Sequence, residues 1–106
     1  MVIYKLSEFT KGWIVGNFSP SVFISKEFEV AVKKYNSGDY EEKHFHKKAL
    51  EITIICSGKV RMNNQEFSEG DVIVIKPNEV TDFFVIEEAI TTVIKTPSLT
   101  NDKFLI

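Results

Sequence analysis

GDYEEKHFHKKALEITIICSG, residues 38–58, begins and ends on glycine and contains both histidines of the chain. Its second half, EITIICS (51–57), is a short run dominated by isoleucine, the composition of a strand covered on both faces. Its first half carries His44 and His46 one residue apart. On a strand, residues i and i+2 point to the same side, so the two imidazoles project together while Phe45 packs the other way. Side-by-side imidazoles are a chelating pair for a borderline divalent cation. Taken alone, with Lys43, Lys47 and Lys48 around them, their default reading is a solvated strand end.

The period of two continues on both sides. EFEVAVKKY (27–35) alternates apolar and polar residues, and DVIVIK (71–76), EVTDFFVI (79–86) and AITTVIK (89–95) are further strands. The last two are expected to be joined by a tight turn at Glu87-Glu88. Turn signals recur at SGD (37–39), SGK (57–59), NNQ (63–65), SEGD (68–71), KPNE (76–79) and TPS (96–98). Asn63-Asn64 suits a two-residue hairpin because Asn tolerates positive φ. SPSVFISKEF (19–28) is the least regular stretch, with Pro20 a break. Many short strands and no long helical period predict an all-β sandwich or small barrel.

With 106 residues the chain supports one core, and residues 1–106 are expected to form a single domain. A net charge of −2 without a basic stripe argues against nucleic acid as a partner. Cys56 is the only cysteine, which excludes an intramolecular disulfide. No apolar run approaches the roughly 20 residues that span a membrane, and MVIYKLSEF lacks a signal peptide's apolar core. A cytoplasmic domain without a membrane partner is expected.

Glu51 follows the histidines after a short turn. If its strand pairs antiparallel with 41–46, its first inward residue lies beside the imidazoles. Glu51, Thr53 and Ile55 share one face, where a carboxylate is costly unless paired or metal-bound. Two imidazoles and one carboxylate make a facial triad that leaves positions open for water or substrate.

Gly38, five residues, His44-x-His46, four residues, Glu51, six residues and Gly58 match the first motif of the cupin superfamily throughout. Gly70-Asp71, then VIVI and Pro77, resembles the start of its second motif. The sequence thus resembles a small single-domain cupin of the RmlC-like jelly-roll type over about residues 27–95. The resemblance implies a double-stranded β-helix barrel of two antiparallel sheets, with His44, His46 and Glu51 pointing into its mouth. It also implies a divalent transition metal there (Zn, Mn, Fe or Ni) and a homodimer. The second motif departs from the family: its proline, glycine, histidine and asparagine places hold Lys76, Asn78, Thr81 and Val85. Pro77 has slid by one, and Asn78 can make the glycine's turn. Thr81 stands where the third imidazole ligand would be, and Asp82 next door reaches the site only through a bulge.

Tyr35 and Tyr40 are candidate proton carriers at the mouth. Lys33 shares a face with Tyr35 and reads as surface alternation, while Arg61 and Lys76 are candidates for an anionic substrate. Cys56 reads as a small buried hydrophobe, and Trp13, Phe9 and Phe18 as core packing. Ile52, Ile54 and Cys56 form an apolar face that the N-terminal strands or a second subunit must cover. The tail KTPSLTNDKF (95–104) has turn chemistry and exposed charge. Three functions follow: a metal-dependent isomerase or epimerase acting on a carbohydrate or other small polar metabolite, an Fe(II) dioxygenase, or a non-catalytic small-ligand binder.

Overall fold

Alternation in the sequence becomes eight strands, preceded by two short 3-10 turns at Leu6–Glu8 and Thr10–Gly12. The computed structural model describes every residue, Met1–Ile106. The strands are β1 (Trp13–Val15), β2 (Glu29–Tyr35), β3 (Tyr40–His46), β4 (Leu50–Met62), β5 (Gln65–Ser68), β6 (Val72–Ile75), β7 (Thr81–Thr96) and β8 (Lys103–Leu105). All pairings between them are antiparallel, in the order β1-β2-β7-β3-β8, with β4 pairing β5, β6 and β7. The two expected layers share one hydrogen-bonded sheet, because β4 and β7 are long enough to serve in both. No helix is long and apolar enough to cross a membrane.

Two expected breaks are bends instead. Glu87-Glu88 is not a turn but the middle of β7, which runs 16 residues, and SGK lies inside β4, which runs 13. The register of the pair slips at this place, where Ser57 stands opposite Ile90 and Lys59 opposite Glu87. Gly58 has φ 86, and a Cβ on it would stand 2.0 Å from the Glu88 carbonyl oxygen. A residue without a side chain lets the two backbones approach, so both strands bulge together and neither ends. The other turn readings hold: Asn63 and Asn64 (φ 50 and 65) form the β4–β5 hairpin, and Asn78 has φ 69.

The interior is divided. Ile55, Val60, Met62, Ile75, Phe83, Val85 and Ala89 form a dry cluster, with Tyr35, Phe67 and Ile73 packed against it. Beyond it most buried inward positions are polar, Glu29, His44, His46, Thr53, Thr81 and Thr91, with Ala31 and Val93 among them. Polar groups are costly inside unless hydrogen-bonded or paired, so their gathering at one end of the barrel marks a candidate site. On the outer face, Ile52 lies between Val74 and Ile94, and Ile54 between Val72 and Thr92. The N-terminal strand does not cover this face, since β1 extends the sheet edge beside β2. Val72 and Val74 remain 61% and 50% exposed. Cys56, expected to be buried, is exposed there because it shares the outward parity of Ile52 and Ile54.

Gly58 and Gly38 separate the two roles of glycine. Both have positive φ, but a Cβ at Gly38 meets nothing within 4 Å. Gly38→Ala should cost about 1 kcal/mol, the strain of the left-handed conformation alone. Gly58→Ala should cost about 3 kcal/mol or more, because backbone must move as well. Urea midpoints of the two variants test this, and equal losses would remove the close approach as a cause.

Candidate functional site

The inward residues of six strands line one cavity of about 230 Å³. His44 and His46 enter it from β3, their rings edge to face with centroids 5.5 Å apart. In each ring Nδ1 meets a backbone carbonyl: His44 that of Glu42 at 2.8 Å, and His46 that of Asp102 at 3.3 Å. A carbonyl only accepts, so Nδ1 is the assigned donor and Nε2 keeps a lone pair. Glu51 Oε1 lies 3.6 Å from His46 Nε2, and its Oε2 accepts the Thr53 hydroxyl at 2.9 Å. Burial, with Lys95 acting in the same sense, pushes His46 down to about 4. The ring is therefore neutral near pH 7, and its contact with Glu51 is not an ion pair. A lone pair faces a carboxylate oxygen.

Strand pairing is not what brings Glu51 to the histidines. β3 pairs with β7 and β8, not with β4. The chain crosses between layers at Lys47–Ala49, and this turn is held by Asp102, whose carboxylate accepts the N–H groups of Lys47, Lys48 and Ala49 at 3.0–3.3 Å. Burial works to raise the Asp102 carboxyl, but the three N–H groups outweigh it and hold it below the usual carboxylate value. The His46 carbonyl accepts from Asn78 N–H at 2.6 Å. The tail, expected as an exposed turn, forms β8, with His46 opposite Lys103. Asn101-Asp102 before the alternating KFLI was the signal for this clamp.

Thr81 occupies the third-imidazole place as expected: it is buried in the cavity wall, opposite His44 in register. Asp82 is not a ligand. It faces out by alternation, its Oδ1 accepting Asn63 N–H at 2.7 Å. Tyr40 is outside the cavity, 59% exposed, because a register slip between Glu41 and His44 reverses the alternation and gives Glu41 the inward place. Tyr35 is inside, packed on Phe83 with ring centroids 4.9 Å apart. Burial first, then Glu41 and Glu51, push its phenol above its ordinary value, so it stays protonated.

Lys33, read as surface alternation, lies in the cavity with Nζ 5.0 Å from the Trp13 ring centroid, and burial lowers its pKa. Lys95 Nζ is 5.1 Å from the same ring. Trp13 is thus a cavity wall, although it also packs on Phe18. Arg61 covers the Phe84 ring and Lys76 sits in an exposed turn; neither lines the cavity.

The donor set suits a divalent ion in chemistry: two imidazoles with fixed tautomers and a carboxylate. The 3.6 Å from His46 Nε2 to Glu51 Oε1 is also a spacing that two ligands at about 2.0–2.2 Å from one ion can have. The expected triad is only half assembled, since nowhere do three His, Cys, Asp or Glu side chains converge closely enough to hold an ion.

No protein-family model matches the sequence, and no curated protein matches it either. Solved structures do. A protein with a double-stranded β-helix domain from Klebsiella pneumoniae superposes with a TM-score of 0.72 at 19% identity, over 97% of this chain and 89% of that one. An RmlC-like cupin from Shewanella frigidimarina gives 0.64 at 14% identity, over 68% of each chain. KdgF from a Halomonas species gives 0.63 at 17% identity, over 69% of this chain and 72% of that one. At these identities the likeness establishes the fold: a small cupin barrel, as the first motif implied.

Two outcomes follow from the site's electrostatics. In chelator-treated protein His46 takes a proton near pH 6.5 when unfolded but only near 4 when folded. The unfolded chain binds the extra proton between those values, so stability should fall as pH is lowered through that window. His46→Gln should flatten that part of the curve of melting temperature against pH; an equal slope in both proteins would refute the assignment. Asp102→Ala should cost about 1 kcal/mol at neutral pH, the scale of a lost cap. Because the Asp102 carboxyl is held low in the fold, its contribution is present above the ordinary carboxylate value and lost as pH falls through the folded one. The gap between wild type and variant should close there, and a gap independent of pH would mean the carboxylate charge is not what holds the turn.

Proposed function

We propose that this cupin-fold chain uses its barrel mouth as a metal-assisted site for a small polar metabolite. In this reading His44, His46 and Glu51 hold a divalent transition ion: Zn, Mn, Fe or Ni. One observation carries it: His46 Nε2 and Glu51 Oε1 lie 3.6 Å apart with no hydrogen bond between them, and with Nδ1 assigned as the ring's donor both present lone pairs. Two acceptors turned toward each other in a half-dry cavity repel unless a cation stands between them.

A bound ion would supply Lewis acidity toward a substrate carbonyl or hydroxyl. The remaining work falls to the chain's own groups. Glu42 and Asp102 carbonyls orient the imidazoles, and the Thr53 hydroxyl orients Glu51. The Tyr35 hydroxyl, kept protonated by burial, is a hydrogen-bond donor to substrate rather than a base. These parts suit isomerisation or epimerisation of a carbohydrate or another small polar metabolite. With iron the same set suits oxygen chemistry, so metal identity separates an isomerase from a dioxygenase.

A metal-free binder is the second reading, favoured by Thr81 in the third ligand's place. Metal content of protein purified without chelators, measured by mass spectrometry beside His46→Ala, decides between them. About one equivalent of a transition metal in the wild type, lost in the variant, is the expected result. No uptake in either protein after incubation with excess Zn, Mn, Ni and Fe would sink the metal reading. Ligand binding that ignores a chelator would then support the binder.

A further inference from the structure

The geometry points to an oxyanion subsite on the Trp13 side of the cavity: we propose that the ligand carries a carboxylate or phosphate, seated between the ammonium groups of Lys33 and Lys95. The inference rests on the cavity being a small-molecule site, and it names the class of that molecule.

Charge is the first argument. Lys11, Lys33, Lys95 and Lys103 line the cavity against Glu41 and Glu51, an excess of two positive charges from lysines and carboxylates alone. Lys103 and Lys95 have loose carboxylate partners, Glu41 at 3.9 Å and Glu29 at 4.0 Å. Lys33 has no carboxylate within 4.0 Å, and its ammonium donates only to the Lys11 carbonyl at 3.3 Å. A half-buried ammonium with no carboxylate in direct contact is costly; Glu41 acts on Lys33 only from beyond 4.0 Å, and the Lys33 and Lys95 ammonium groups share one indole ring. An ion bound at the histidines would add to this positive excess.

Thr91 is the second, independent argument. The residue is buried, at 1% exposure, and lines the same cavity; its hydroxyl is close enough to Tyr35 to act on that phenol but has no partner at full hydrogen-bond distance. Thr91 lies directly opposite Lys33 across β2 and β7, on the same strand face as Lys95. A hydroxyl with spare donor capacity in a cavity of positive excess suits an acceptor-only group, which is what a carboxylate or phosphate presents. The cavity volume, about 230 Å³, corresponds to roughly eight waters and selects a compact acid of few carbons.

Trp13 is the only tryptophan, so its emission reads the subsite directly. The full chain, with and without added Zn, is titrated at fixed ionic strength with lactate, inorganic phosphate and lactamide, the neutral twin of lactate. Lactate or phosphate should give a saturable change and lactamide none; the tighter of the two anions distinguishes carboxylate from phosphate. The apparent Kd should rise roughly tenfold in Lys33→Gln and in Lys95→Gln, the scale of one lost charge-assisted contact, and less in Lys33→Arg. No saturable response to either anion, an equal response to lactamide, or unchanged affinity in both glutamine variants overturns the subsite. Zn uptake by equilibrium dialysis is read on the same samples. Uptake without an anion response removes the subsite and spares the metal reading, and an anion response without uptake does the reverse.

Discussion

Three consecutive backbone N–H groups, those of Lys47, Lys48 and Ala49, converge on the single carboxylate of Asp102. The site takes its shape from that convergence. A chain leaving β3 has to cross to the other layer before it can enter β4, and the crossing exposes donors that no strand satisfies. Asp102 satisfies them and turns the crossing into a fixed corner, with His46 at one side and Glu51 at the other. The carbonyl of the same residue then sets the His46 tautomer. One residue of the tail thus fixes both the backbone and the ring that the mouth of the barrel needs.

The barrel interior shows what such a site costs in core. Its dry cluster holds seven buried residues, and the adjoining inward positions that a plain barrel would fill with valine or isoleucine hold threonine, glutamate and histidine. Compensation comes from long strands that bend without ending. The paired bulges around Gly58 and Glu88 keep β4 and β7 hydrogen-bonded along most of their length, so two strands bind both layers. Few apolar side chains are then needed to hold the layers together.

Much of this was legible locally. The alternation of strands, the Asn63-Asn64 hairpin, the turn at Asn78, and the inward histidines with Glu51 depend on residues close in sequence, and the spaced glycines and histidines carried the fold. What escaped depends on distant partners. Glu87-Glu88 looked like a turn because two adjacent charges interrupt an apolar run; only the bulge across from it shows why the strand continues. Tyr40 and Glu41 exchanged faces because of a slip against β7. Lys33 and Trp13 looked like a surface lysine and a core aromatic, since nothing near either reveals the other or Lys95. Asp102 stood in a stretch whose composition resembles any exposed tail, and its three donors lie more than 50 residues away.

The cavity is also assembled from widely separated parts of the chain. Lys11 and Trp13 form one wall, the histidines arrive mid-sequence, and Lys95 and Lys103 close the other side. A ribosome that has delivered the histidine motif has therefore made a strand whose partners, β7 and β8, have yet to emerge. The ligands of the mouth lack their wall, their corner and their tautomer until residues past 102 emerge. Non-local pairings of this kind form late and slowly, since loop closure must precede the contacts that reward it. The nascent chain consequently passes through most of its length with these side chains unplaced, and the cavity is completed only with the last strand.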